Sequence, residues 1–283
     1  RSASSQGEGH VNQSRTAPRD REEGREALSR GLAPASVLQV HRVMSAAMRQ
    51  AVRWRLISVN PADGVTTPRV EERPRTLPSA EGLARLFHEV AAFYRAPTIV
   101  LAFTGMRRGE LCALTWGGME LDGNYPLVRV DGSLQRVGGV LRVFPPKTAR
   151  GRREIPLPAS IVPVLRRHKI EQMERRLLAG SAWNDGDFVF DRYDGRPIDP
   201  DALGKAFRAV RDRADLAGVR LHDLRHALAT VLMRAGENPR VVSDILGHSK
   251  VAFTMQVYSH PDREMFSNAA TKIDAALDGV LEG

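Results

Sequence analysis

The chain has 283 residues and a formal net charge of +9, which suits one large or two modest domains with a polyanionic partner. We expect nucleic acid first and an acidic membrane surface second. One cysteine, Cys112, excludes an intrachain disulfide, and the absence of a membrane span or a signal-peptide core predicts a cytoplasmic protein.

The N-terminal part begins with a polar segment and continues into an amphipathic helix. Residues 1–30 have no hydrophobic period, so we interpret them as a disordered or cloning-derived leader, or the ragged end of a missing segment. Pro34 suits the first turn of a helix. One apolar stripe follows at helical spacing: Val37, Val40, Met44, Ala47, Ala51 and Trp54.

Basic side chains lie beside this stripe, and we predict that they contact the DNA backbone. The alternative is a solvated basic face without a partner. Residues 61–78 contain four prolines and mixed charges, which indicates a linker. The candidate DNA-binding arginines are Arg42, Arg49, Arg53 and Arg55.

The remaining elements are helices on either side of one small sheet, a mainly α fold of the α+β class. Ser79 is a candidate cap for a helix over 80–92, and Gly105 ends an apolar helix over 96–104. Residues 125–157 predict a three-stranded antiparallel sheet. Further helices are predicted over 160–178, over 200–216 with Asp199 as cap and Gly218 as stop, from a start at His222 to Ala235, and over 239–246.

The first candidate site motif is Thr104-Gly105-Met106-Arg107-Arg108-Gly109-Glu110. The glycine lets the chain turn, so that Arg107 can leave the backbone at the mouth of the next helix. A guanidinium can bond two phosphate oxygens with its fixed fork and keeps its charge near neutral pH. The alternative is an Arg–Glu surface pair at a helix start.

The second motif runs from Leu221 to Tyr258. The spacing of His222 and Arg225 puts both on one face of a helix start, where the helix dipole favours an anion. His226 fits a structural histidine better, and Asp223 a helix-start acid. His248 alone would be a helix-end cap, and Tyr258 alone an amphipathic helix-end tyrosine.

Taken in this order, the motifs resemble the active-site half of the tyrosine recombinases, the phage integrase family, over roughly residues 76–260. The resemblance implies a tyrosine-recombinase catalytic domain over 79–261. It implies a partial helical core-binding domain over 31–60, which puts autonomous site recognition in doubt. It also implies a tail helix over 262–283 that contacts another protomer.

The resemblance assigns the phosphate-binding groups. Arg107 occupies the arginine of the family pattern TGxRxxE, and Glu110 its acidic residue that steadies the site. Arg225 would be the second phosphate clamp. His222 would donate to a non-bridging oxygen or manage the proton of the nucleophile, and His248 would hydrogen-bond the phosphate.

The resemblance also assigns the nucleophile and the acid. Tyr258 would attack the phosphate, and Lys147, on a predicted β-hairpin, would protonate the leaving 5′-oxygen. Arg150 and Arg152 of the same hairpin are candidate DNA contacts. The alternative for Lys147 is a basic turn that merely contacts phosphate.

The implied function is a site-specific recombinase that cleaves and rejoins DNA through a 3′-phosphotyrosine. It implies no metal or other cofactor, double-stranded DNA bearing attachment or recombination sites as substrate, a homotetramer on DNA and possible accessory DNA-bending or directionality factors. It also implies a bacterial or phage-encoded protein that acts at the nucleoid. Two alternatives remain open: a type IB topoisomerase and a non-catalytic DNA-binding clamp.

Overall fold

The computed structural model describes residues 31–70, 78–146 and 151–247. They fall into two compact units, with residues 31–70 in the first and the others in the second. Within these ranges, no helix is both long enough and apolar enough to cross a membrane. The predicted leader, residues 71–77 of the predicted linker and the predicted tail lie outside the described residues.

The first unit is helix α1 (Pro34–Arg53) followed by a 3-10 turn (Pro61–Gly64). Pro34 opens the helix, as predicted. Asn60 joins the two elements: its Oδ1 accepts from the Ala62 amide at 3.0 Å and its Nδ2 donates to Ser45 Oγ at 3.2 Å. The turn therefore packs on the polar face of the helix that carries Ser45.

The predicted apolar stripe of α1 is not the face covered by the rest of this unit. Val40, Met44 and Trp54 remain 55%, 52% and 67% exposed, whereas Ser45 is buried. The hydrogen bonds from Asn60 decide this, because they hold the turn on the opposite side of the helix. The four candidate DNA-binding arginines of this unit are exposed.

The second unit contains seven helices and five strands among its described residues. The helices are α2 (Ala80–Glu89), α3 (Ala92–Thr104), α4 (Arg108–Leu111), α5 (Val162–Ala179), α6 (Pro200–Arg211), α7 (Asp223–Arg234) and α8 (Pro239–Leu246). The strands are β1 (Met119–Glu120), β2 (Leu127–Val130), β3 (Ser133–Val137), β4 (Val140–Phe144) and β5 (Arg153–Pro156).

The strands form two antiparallel sheets rather than the single sheet that was expected. A three-stranded sheet has the order β1-β2-β5, with Val130 opposite Arg153, and β3 pairs only with β4. Gly138 and Gly139 turn the β3–β4 hairpin with φ of 57° and 81°, values that suit glycine. The prediction that β4 and β5 form a hairpin around Lys147 is therefore wrong, because they belong to different sheets.

The helix caps agree with the sequence better than the helix ends do. Ser79 Oγ accepts from the Gly82 amide at 3.0 Å, and Asp199 accepts from the Asp201 amide at 2.8 Å. In contrast, α3 starts four residues before the predicted 96, and α6 ends at Arg211, short of the predicted 216. Helices and the three-stranded sheet share one core, whose members include Leu86, Leu101, Ile155, Leu165 and Phe207.

Gly105 ends α3 in a left-handed conformation, with φ of 61°, against the pair α7 and α8. A Cβ atom here would lie 2.6 Å from Leu246 Cδ2 and 2.9 Å from Leu228 Cδ2. Only glycine therefore allows both the turn and this close packing. After this turn, Arg107 lies next to the start of α7.

Candidate active site

Arg107 is the N-cap of α4, and its side chain is anchored by Glu110. Arg107 Nη1 donates to Glu110 Oε1 at 2.7 Å, and the Arg107 amide donates to Oε2 at 2.8 Å. Arg107 Nη2 lies 3.3 Å from the carbonyl oxygen of Gly247, at the end of α8. The Arg107 side chain is 47% exposed, so an anchored guanidinium faces solvent.

Glu110 is buried and binds a second arginine, Arg153 at the start of β5. Arg153 Nη2 donates to Glu110 Oε2 at 2.8 Å, and its Nη1 lies 3.3 Å from Oε1. Burial by itself would raise the pKa of Glu110, but the Arg153 and Arg107 groups outweigh it and hold that pKa below its ordinary value. Glu110 therefore stays ionised at neutral pH.

Arg225 lies in the first turn of α7 and is 3% exposed. Its Nη1 donates to the carbonyl oxygen of Gly105 at 2.8 Å. Its Nη2 is buried and has no hydrogen-bond partner among the described residues. Burial, together with nearby Arg107, lowers the pKa of Arg225 to about 9, which leaves the guanidinium charged at neutral pH.

His222 precedes α7 and lies beside these arginines. Partial burial, and then the positive charge of Arg225, lower the pKa of His222 below its ordinary 6.5. The side chain nevertheless remains open to solvent on one side. His226 is buried, with its ring centroid 4.9 Å from that of His222, and Asp223 binds Arg220 at the helix start. Both agree with the structural roles expected from sequence.

The described part of the site carries an excess of positive charge. Arg107, Arg153 and Arg225 surround the single carboxylate of Glu110, and the Arg107 charge lowers the pKa of Arg225. Such crowding of buried or anchored guanidinium groups is typical of an anion-binding site. Among the described residues, no cluster of three or more His, Cys, Asp or Glu side chains could hold a metal ion.

Four of the predicted site residues lie outside the described residues: Lys147, Arg150, His248 and Tyr258. Arg152 is described and is exposed. The structure thus brings together Arg107, Glu110, His222 and Arg225.

Arg153 was not predicted as a site residue, although the sequence carries a signal for it. In a strand, alternate residues face the same side, so Arg153 shares the side of Ile155. Ile155 is buried in the core. An arginine at the end of a core-facing row requires a buried partner, which here is Glu110.

A family model agrees with this geometry: the phage integrase family model matches residues 81–265. The chain belongs to the phage integrase family. It is 32% identical over 188 residues to a "Tyrosine recombinase XerC-like" protein of Caldanaerobacter subterraneus subsp. tengcongensis, over 62% of this chain and 48% of that protein. It is 27% identical to an integrase of Saccharopolyspora erythraea, over 88% of this chain and 69% of that protein.

Solved structures of integrases share the fold. The Tn1549 transposon integrase in complex with transposon right end DNA has a TM-score of 0.74 at 22% identity, covering 89% of this chain and 83% of that one. A lambda integrase dimer bound to a COC′ core site has a TM-score of 0.55 at 17% identity, covering 83% of this chain and 62% of that one. The chain spans about half to two thirds of the length of the relatives it matches in sequence.

Proposed function

We propose that this integrase-family chain is a site-specific DNA recombinase that cleaves and rejoins DNA through a covalent 3′-phosphotyrosine. The observation that carries the proposal is the Arg225 guanidinium. It is fixed by the Gly105 carbonyl, its Nη2 is free among the described residues, and it lies beside the anchored and exposed Arg107. This pair suits a phosphate diester, because two guanidinium groups can bond its two non-bridging oxygens.

In the proposed reaction, Tyr258 Oη attacks the phosphorus in line, and the bond from phosphorus to the 5′-oxygen breaks. The products are a 3′-phosphotyrosine and a 5′-hydroxyl. The transition state gains negative charge on the non-bridging oxygens, which Arg107 and Arg225 stabilise. A 5′-hydroxyl from a partner strand then reverses the step, so that the ester supplies the bond energy.

Protons move at two atoms in this scheme. The leaving 5′-oxygen takes a proton from Lys147, since an ammonium donates a proton more readily than a guanidinium. The proton of Tyr258 passes to neutral His222, which is consistent with the lowered pKa of His222. His248 donates a hydrogen bond to the phosphate.

The domain organisation follows as part of this proposal. Residues 31–60 form part of a DNA-binding domain, 79–261 the catalytic domain and 262–283 a tail that docks on a neighbouring protomer. The substrate is double-stranded DNA bearing attachment or recombination sites, and the active assembly is a homotetramer in the cytoplasm. Accessory DNA-bending or directionality factors belong to the same proposal.

The test uses a DNA duplex that traps the covalent product. A bound site is first selected from sheared genomic DNA of the source organism, then synthesised with a nick beside the cleavage position so that the released fragment diffuses away. Denaturing electrophoresis should show a labelled protein–DNA adduct with the wild-type chain. Tyr258→Phe should bind the duplex but form no adduct, since only the nucleophilic oxygen is lost.

Two results would contradict the proposal. Binding without any adduct under all conditions would favour a non-catalytic DNA-binding clamp. Relaxation of supercoiled plasmid without strand exchange between two duplexes would favour a type IB topoisomerase.

A further inference from the structure

Arg153 joins two chain segments that lie far apart in sequence. Its Nη2 donates to Glu110 Oε2 at 2.8 Å, and its Nε donates to the carbonyl oxygen of Ile245 at 2.7 Å. Glu110 in turn anchors the guanidinium of Arg107, and Ile245 belongs to the last turn of α8. One side chain therefore connects the phosphate-binding arginine with the end of α8.

The end of α8 is held by two guanidinium groups. The last carbonyl groups of a helix lack partners within the helix, and cations stabilise that end through the helix dipole. Arg153 takes the Ile245 carbonyl, and Arg107 Nη2 lies 3.3 Å from the Gly247 carbonyl. These two contacts tie the end of α8 to the Arg107–Glu110 pair.

The contact surface around Arg153 is tight. A Cβ atom on Gly247 would lie 2.9 Å from Arg153 Nη1 and 3.0 Å from its Cζ. The Arg153 side chain is 6% exposed, so water has little access to its N–H donors and the side chain has little room to rotate. Its geometry is set by Glu110, Ile245 and the packing of Gly247.

We propose that Arg153 is a positioning residue for DNA cleavage, which fixes the Arg107–Glu110 pair and the end of α8 in one arrangement. This role rests on the proposed recombinase function. Arg153 itself is turned away from solvent toward Glu110 and Ile245, so it acts through Arg107 and through the end of α8. Loss of the link displaces both groups relative to the phosphate.

An arginine is required for this link because its donors diverge. Nε points to Ile245 on one side, while Nη1 and Nη2 form a fork on the carboxylate of Glu110. A lysine keeps the charge but has one nitrogen, which cannot reproduce the fork. Arg153→Lys therefore separates the geometry of the link from its charge.

The experiment compares Arg153→Lys with Arg129→Lys in the full chain. Arg129 lies on the neighbouring strand β2 and forms an exposed ion pair with Glu154 at 3.0 Å, so it is a matched control. The same nicked duplex is used at saturating protein, and single-turnover adduct formation, DNA affinity and the melting temperature are measured. A displacement of about 1 Å at a reacting centre lowers rates by about 100-fold.

We expect Arg153→Lys to slow adduct formation by roughly 10- to 100-fold, while DNA affinity stays near that of wild type. Arg129→Lys should cleave at the wild-type rate. In an Arg107→Lys background, which has already lost the guanidinium that Glu110 anchors, Arg153→Lys should add much less than its effect in the wild-type chain, because Arg153 acts mainly through Arg107.

Three outcomes would overturn the role. The first is cleavage by Arg153→Lys at the wild-type rate. The second is a normal cleavage rate of this variant at a lower temperature at which it is fully folded, which would mean that Arg153 contributes only to stability. Full additivity with Arg107→Lys would also contradict it. If the wild-type chain forms no adduct, the proposed function itself fails, and this result is distinct from all three.

Discussion

Arg225 donates a hydrogen bond of 2.8 Å to the carbonyl oxygen of Gly105, which lies 120 residues earlier in the chain. The acceptor belongs to the left-handed turn that ends α3 and releases Arg107. The position of one arginine is therefore set by the backbone that presents the other. Two cations that would repel each other when free are held beside one another by this link and by Glu110.

Replacement of Arg225 should separate binding from catalysis. A lysine cannot bond Gly105 and also present a second nitrogen to phosphate, so we expect Arg225→Lys to slow single-turnover cleavage by about 100-fold or more. DNA affinity should change little, because many phosphate contacts share it. Arg220→Lys, an exposed control at the same helix start, should cleave normally. Near-normal cleavage by Arg225→Lys would remove Arg225 from the phosphate site.

Replacing Gly247 with alanine should lower the free energy of unfolding by more than backbone strain alone would. Gly247 and Gly218 both have positive φ, 67° and 80°, so alanine at either costs about 1–2 kcal/mol. At Gly218 a Cβ meets nothing within 4 Å, whereas at Gly247 it lies 2.9 Å from Arg153 Nη1. Urea denaturation should show a larger loss for Gly247→Ala than for Gly218→Ala. Equal losses would mean that the Arg153 side chain can move aside with no loss in the free energy of unfolding.

The pH dependence of cleavage should report His222. Its pKa lies below the ordinary 6.5, so His222 is neutral at pH 7 and gains a proton only as the pH falls below 6.5. If neutral His222 accepts the proton of Tyr258, the cleavage rate should be level at pH 7 and fall on the acid side of 6.5. His222→Gln should be slower at pH 7 and lack that fall. An unchanged acid limb in the variant would assign it to another group.

Lys147 can be tested through the leaving group. Lys147→Ala should slow cleavage with little loss of binding, because one charge is a small part of a wide basic surface. A substrate with sulfur in place of the bridging 5′-oxygen releases a thiolate, which does not need a proton. This substrate should restore the rate of Lys147→Ala if Lys147 is the acid. No restoration would leave Lys147 as a DNA contact.

The sequence predicted the helix caps of the second unit better than the helix bounds, because caps are local signals. Ser79, Asp199 and Asn238 each accept a backbone hydrogen bond at a helix start, and Gly247 ends α8 in the left-handed region. Strand pairing was predicted less well. The composition of β4 predicted that it would join the three-stranded sheet. The Gly138-Gly139 turn instead pairs it with β3, and composition alone does not specify which strand is its partner.

Among the site residues too, those in local motifs were predicted, whereas the one that depends on long-range contacts was not. Arg107, Glu110, His222 and Arg225 stand in local motifs, and the structure brings these four together. Arg153 could not be assigned from a motif, because its partners Glu110 and Ile245 are 43 and 92 residues away in the chain. The apolar stripe of α1 misled for a related reason, since the 3-10 turn that Asn60 ties to Ser45 covers the polar face instead.

The contact of Arg107 with the Gly247 carbonyl spans 140 residues. During synthesis the ribosome releases Arg107 long before Gly247, and Glu110 has no link to α8 until that helix has emerged. A chain that ends before α8 therefore lacks the contacts of Arg107 and Arg153 with the end of that helix, whatever part of the core has already folded. On the proposed function, the cation arrangement around Glu110 is therefore completed only late in synthesis, once the chain has reached Gly247.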